Sequence, residues 1–237
     1  MQNNQLVQIG NLNSLMMGDY YGSCKVKDLL RFGDTGIGTY AGLDGEAIII
    51  NGKAYNGRAT GVVSEMQADD YLPFSTVAKF NEGVKENHLE FTSIEDFKTK
   101  MEQYLQSHNF FYMIKMAGNF NVRVRSCYVQ NEPYEPLYKV ACDQREFEYH
   151  DEDGYVVGVY CPNYVNGMNL PGWHIHFISK DLTKGGHILK LSSKSCGMKI
   201  NCLDDWNVML PHTAGFEKWD LATDLKDKTN AVEGSTH

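Results

Sequence analysis

The chain has 237 residues, of which 42% are hydrophobic and 12% aromatic, enough to fill the core of one large domain or two small ones. Its 22 Lys and Arg against 30 Asp and Glu give a net charge of −8 without a dense basic run, which argues against a nucleic-acid partner. Apolar runs such as Ala47 to Ile50 fall far short of the roughly 18 residues of a membrane span, and the opening Met1-Gln-Asn-Asn-Gln-Leu-Val-Gln lacks the regions of a secretory signal, so cytoplasmic residence is expected.

A Gly18-Asp-Tyr-Tyr-Gly22 turn leads into Val26-Lys-Asp-Leu-Leu-Arg-Phe32, whose apolar positions Val26, Leu29 and Leu30 fit a short amphipathic helix ended by Gly33. Gly36 to Ala41, Glu46 to Ile50 and Lys53 to Tyr55 then read as an antiparallel meander, punctuated by the hairpin signals Asp44-Gly45 and Asn51-Gly52. Thr39 lies in the first strand. Glu46 heads the second, where a carboxylate beside an apolar run is either a solvated strand end or a buried functional group. Gly61 to Met66 and Pro73 to Phe80 give two further strands. Ser93 to Gln106 reads as a helix: Ser93 and Asp96 make an acidic capping box, and Ile94, Phe97, Met101, Tyr104 and Leu105 form an apolar stripe typical of a core.

Phe110 to Met116 and Phe120 to Val129 read as a hairpin turning at Ala117-Gly118-Asn119, with Arg123 and Arg125 on one face as a solvated surface or a carboxylate clamp. Glu132-Pro-Tyr-Glu-Pro136 is the clearest linker and divides the chain into an N-terminal β-rich subdomain, residues 1–131, and a C-terminal β subdomain, residues 132–237. Phe147 to His150 and Tyr155 to Tyr160 are strands around a solvated turn at Asp151-Glu-Asp-Gly154. The expected fold class is therefore α+β and β-rich, two mainly antiparallel β-sheet subdomains with a few short helices. Cys24, Cys127, Cys142, Cys161, Cys196 and Cys202 contain no Cys-x-x-Cys pair and read as packed, reduced thiols, although a Gly-containing turn between Cys196 and Cys202 lets those two face each other. Beyond Pro211 the composition turns polar, and Lys218 to His237 reads as a short helix and a frayed tail.

Gly172 to Leu191 is the stretch best suited to chemistry. Trp173 to Ser179 and His187 to Ser192 read as the strands of a hairpin. Alternation puts His174 and His176 on one face, and a turn centred near Asp181 and Leu182 sets His187 opposite His176 on that same face. A lone His-x-His pair fits a satisfied polar sheet face. A third imidazole suits Zn²⁺ or a similar borderline divalent ion, because a catalytic site uses three protein ligands and leaves a position for water or substrate. Two alternatives stand beside it. A non-catalytic, metal-stabilised binding module would want a fourth ligand, and a cupin-like metal-dependent oxygenase or isomerase would want a Glu where this chain has Lys180 and Asp181.

Pro171-Gly-Trp-His-Ile-His-Phe177 followed by Gly185-Gly-His187 resembles the metal-binding signature of the α-acetolactate decarboxylases. Gly18-Asp-Tyr-Tyr-Gly22, Gly33-Asp-Thr-Gly-Ile-Gly-Thr-Tyr-Ala-Gly-Leu-Asp-Gly-Glu46, Pro73-Phe-Ser-Thr-Val77 and Phe147-Glu-Tyr-His-Asp151 resemble that family in order and spacing. The departure at Asp34-Thr35-Gly36, where an aromatic is common, bears on packing alone. The resemblance implies Zn²⁺ held by His174, His176 and His187, with Glu46, Arg125 and a C-terminal glutamate in catalysis. Glu233 has the suitable spacing and Glu217 is the fallback. It implies 2-acetolactate as the small-molecule substrate, decarboxylated to acetoin and CO₂ through a zinc-stabilised enediolate. Glu46 would relay the proton, Arg125 orient the carboxylate, Glu233 close the site and Thr39 help position substrate. A homodimer is the assembly expected.

Overall fold

The β-branched and aromatic runs pair along most of the backbone; the computed structural model describes residues 4–81, 83–141 and 144–232. In chain order the elements are β1 (Gln5–Ile9), α1 (Leu12–Met16), β2 (Cys24–Lys25), α2 (Val26–Leu29), β3 (Thr35–Thr39), β4 (Glu46–Ile50), β5 (Lys53–Gly57), β6 (Val63–Glu65), β7 (Tyr71–Leu72), β8 (Phe74–Ala78), β9 (Val84–Phe91), α3 (Ile94–Met101), β10 (Phe111–Cys127), α4 (Leu137–Val140), β11 (Gln144–Cys161), β12 (Gly172–Ser179), β13 (Gly185–Leu203), β14 (Asp205–Met209) and α5 (Lys226–Val232). No helix among the described residues is long and apolar enough to cross a membrane.

Two large sheets result. The first has the order β14-β1-β8-β3-β4-β5-β6 and is antiparallel except where β1 meets β14. The second has the order β10-β11-β12-β13-β9, and because β10 also pairs with β13, the four strands β10 to β13 close on themselves. Strands from both sides of residue 131 occur in each sheet: β14 joins the first, and β9 and β10 belong to the second. Ile37, Ile48 and Ile50 of the first sheet pack against Met113, Val157 and Ile178 of the second. β4 is buried on both faces, which is why it reads as a continuous apolar run instead of an alternating one. Inside the second sheet Phe120, Ile175, Phe177 and Leu191 meet Phe97 and Met101 of α3. α1, α4 and α5 form a cap, joined by Leu12, Leu15, Leu137, Leu225 and Val232.

Three expected turns are strand interiors. β10 runs straight through Ala117-Gly118-Asn119, with Gly118 opposite Gly154 on one side and Cys196 on the other. A Cβ on Gly118 would stand 2.6 Å from the Cys196 Cβ, so this glycine permits close strand approach and makes no turn. β11 likewise continues through Asp151-Glu-Asp-Gly154; the ladder slips between Phe120 and Val122, and Asp151 takes φ 50 there, so the acidic cluster forms a bulge. β13 passes through Gly197 unbroken, which puts Cys196 and Cys202 on one strand and removes the arrangement in which they face each other. Cys24, Cys127, Cys161, Cys196 and Cys202 are free thiols. The α3 cap differs in detail from a capping box: Ser93 Oγ accepts from the Asp96 amide at 3.1 Å, while the Asp96 carboxylate accepts from the amide of Thr92 at 2.8 Å.

Candidate active site

The hairpin of β12 and β13 sets His176 opposite His187, as the alternation and turn position require. His176 is fully buried at 0% exposure, and its Nδ1 lies 2.9 Å from the Ala47 carbonyl of β4. Nδ1–H donates there, which turns the Nε2 lone pair toward the other two rings. His176 Nε2 is 3.1 Å from His174 Nε2, and His174 Nε2 is 3.0 Å from His187 Nδ1. One nitrogen from each ring falls within 4.8 Å of the others. Nitrogens bound tetrahedrally at about 2.0–2.1 Å from a metal stand about 3.3 Å apart, so the trio fits such an ion with little adjustment.

Burial pushes His174 down to about 3, with the Arg125 cation adding to the effect. It holds His176 well below the ordinary imidazole range, reinforced by His174 and Arg125 and opposed by the Ala47 carbonyl. His174 and His176 are therefore neutral, the state a metal ligand needs.

β4 and β10 supply the rest. Glu46 opens β4 opposite Thr39 of β3, and Arg125 of β10 lies opposite His187 of β13. Close approach of β13 to β10 needs Gly186, where a Cβ would come within 2.7 Å of the Arg125 carbonyl oxygen. Arg125 is 3% and Glu46 8% exposed. Arg125 Nη1 stands 3.6 Å from Glu46 Oε1, and Glu46 Oε2 stands 3.7 Å from His176 Nε2. Thr39 is buried, with its hydroxyl donating to the Gly45 carbonyl at 3.1 Å. Thr39, Glu46, Arg125, His174 and His187 share one cavity of about 40 Å³, whose apolar side includes Leu12 and Leu15 of α1, Leu137 of α4 and Val232 of α5.

Arg123 is elsewhere. It is half-exposed and paired with Glu148 and, at 3.6 Å, with Glu146 on the neighbouring strand. A separate cleft of about 520 Å³ lies beside the start of α3 and shares only His187 with the lining of that cavity. Glu233 lies outside the described residues. Glu217 is exposed and does not line the cavity. Two contributors were missed in the sequence. Cys127, 3.8 Å from Arg125 Nη1, was within reach of the same-face rule at two residues from Arg125; the Ala47 carbonyl gives no side-chain signal at all.

Three imidazoles able to hold a metal, beside a buried carboxylate and guanidinium on a mainly antiparallel scaffold, define a β-rich protein with a candidate metal centre. The family model described as alpha-acetolactate decarboxylase matches residues 6–223. The chain is 37% identical over 234 residues to the alpha-acetolactate decarboxylase of Brevibacillus brevis, covering 97% of this chain and 81% of that protein. It is 33% identical to that of Bacillus licheniformis, covering 98% and 92%. The crystal structure of the Bacillus subtilis strain 168 enzyme aligns with a TM-score of 0.94 at 31% identity, covering 97% of this chain and 99% of that one. The chain belongs to the alpha-acetolactate decarboxylase family and is a carboxy-lyase acting on acetolactate.

Proposed function

We propose that the chain converts 2-acetolactate to acetoin and CO₂ through an enediolate, at a Zn²⁺ ion held by His174 Nε2, His176 Nε2 and His187 Nδ1. The observation that carries this reading is the cluster of three imidazole nitrogens, two of them from cavity-lining rings, beside the buried Glu46 and Arg125. When bound, the ion supplies a Lewis acid that draws electron density from the ketone as CO₂ leaves.

The chain's own groups do the rest. Arg125 offers a planar guanidinium fixed on an inner strand, suited to orient the substrate carboxylate through two parallel hydrogen bonds. Glu46 lies between Arg125 and His176, so its Oε2 is placed to hold a proton and deliver it to one face of the enediolate. Delivery from one side makes a single enantiomer of acetoin. Thr39 retains hydroxyl lone pairs toward the cavity for a substrate hydroxyl. The apolar cap excludes water, which strengthens each of these polar interactions. Glu233 follows directly on Val232, whose side chain is in the cavity wall, and that adjacency supports a closing role for its carboxylate.

The purified chain given racemic acetolactate should release CO₂ and form acetoin, lose activity on chelation and regain it on addition of Zn²⁺. A zinc-loaded chain that forms no acetoin overturns the reading. Oxygen-dependent turnover on redox-active iron would instead favour a cupin-like oxygenase.

A further inference from the structure

Residues 210–225 run between β14 and α5 without entering a strand or helix, yet they carry α5 back to the cavity. The segment that holds them is the first cap helix and the turn after it. Asn13 Nδ2 donates to the Leu221 carbonyl at 2.9 Å and to the Thr223 carbonyl at 3.2 Å. Asp19 Oδ2 accepts from Thr213 Oγ1 at 2.7 Å, and Thr213 Oγ1 in turn accepts from the Phe216 amide at 3.2 Å. Asn13 is 7% and Asp19 4% exposed, so each contact is buried on its cap side. Asp19 belongs to Gly18-Asp-Tyr-Tyr-Gly22, a motif with no part in the chemistry derived so far. The adjacent Tyr20 donates to the Glu135 carbonyl at 2.9 Å just before α4, so this one segment ties down both other helices of the cap.

We infer that Asn13 and Asp19 are positioning residues for the decarboxylation, latching the C-terminal arm so that α5 keeps Val232 in the cavity wall. The inference rests on the proposed function of the cavity that α5 helps to wall. Neither side chain touches substrate. The two carbonyls on Asn13 and the hydroxyl on Asp19 meet buried side chains from a half-exposed arm and keep it in one register, and loss of either contact releases the arm and leaves the sheets intact.

The test uses the full-length, zinc-loaded chain. Asn13→Asp turns a donor into an acceptor facing two carbonyls, Asp19→Leu removes the acceptor, and Asp19→Asn retains one for Thr213. The first two should lower turnover about tenfold or more. They should also lose hydrogen-exchange protection at the Thr229 amide, which donates to Leu225, with zinc content and protection in β10 and β12 unchanged. Asp19→Asn should behave as wild type in both readouts. Thr213→Val breaks the same contact from the half-exposed arm and serves if Asp19→Leu does not fold. Wild-type protection of α5 in Asn13→Asp and Thr213→Val, or wild-type turnover with α5 released, overturns the inference. So does an Asp19→Asn as damaged as Asp19→Leu. Glu233→Gln separates the two layers: full activity there removes the closing carboxylate, while loss of turnover in the latch variants would still show that the arm positions the cavity wall.

Discussion

His176 is oriented by one hydrogen bond from Nδ1 to the Ala47 carbonyl, and burial keeps it and His174 neutral. Each of the three ligand changes His174→Ala, His176→Ala and His187→Ala should therefore lower zinc content and abolish activity, and near-full zinc in the double variant His174→Ala/His176→Ala would refute the ligand set. The titration has a definite sign. His174 falls from an ordinary value of 6.5 to about 3 on folding, so between those limits the unfolded chain binds the extra proton. The metal-free protein is then fully stabilised above pH 6.5 and loses that contribution as pH drops toward 3. Its melting temperature should fall between pH 7 and pH 5, with a shallower slope in His174→Gln; equal slopes would contradict a neutral, half-buried imidazole. At Arg125 the expectation is geometric. Arg125→Lys keeps the charge but loses the planar fork, and turnover should drop by about 10²-fold at unchanged zinc content. Arg123→Lys should be silent, since Arg123 pairs with Glu146 and Glu148 at the surface. The reverse pattern would put the chemistry on the other arginine.

Among the elements, what was legible in the sequence is what depends on neighbours close in the chain. Period-two alternation and one turn position sufficed to bring His174, His176 and His187 together, because all three lie on a single hairpin. The burial of Glu46 was not legible. A strand-end carboxylate looks the same whether it meets water or, as here, an arginine 79 positions later in the chain on a different sheet. Glycine was misread for a related reason. Gly118 and Gly197 resemble turn residues locally, and only the opposing strand, far away in sequence, makes them strand residues. β9 and β14 escaped notice because edge strands with half-solvated faces carry little apolar pattern. Gly118→Ala tests this account. The added methyl has no room beside Cys196, so stability should fall by about 1–3 kcal/mol in a denaturant titration, against near-neutral behaviour if Gly118 lay in an open turn.

At the scale of the whole molecule, the two sheets supply the proposed reacting groups, and Leu12, Leu15, Leu137 and Val232 of the three-helix cap line the cavity beside them. Composition marks residues beyond 211 as polar, with a short helix and a frayed tail after Lys218; the helix is α5, where Thr229 and Val232 are buried with Leu225 in the cap and Lys228 lies 3.9 Å from the centre of the Tyr138 ring on α4. Ordering such a segment opposes backbone entropy at every residue, and few apolar anchors hold it, so the hydrogen bonds to Asn13 and Asp19 matter to its placement. The arm is therefore the part of the structure most easily released while both sheets stay folded. Removing Thr229 to His237 takes away Val232 and everything after it but leaves Leu225 and both latch contacts in place. The truncated chain should remain folded and zinc-loaded, with its melting temperature within a few degrees of the full chain, while turnover falls by about 10²-fold or more, and Glu233→Gln should reproduce most of that loss. Val232→Ala alone should be milder, since it opens the wall without removing a carboxylate. Wild-type kinetics from the truncated chain would mean that the cavity is catalytically complete without its C-terminal wall, leaving Glu46 as the carboxylate that must supply the proton unaided.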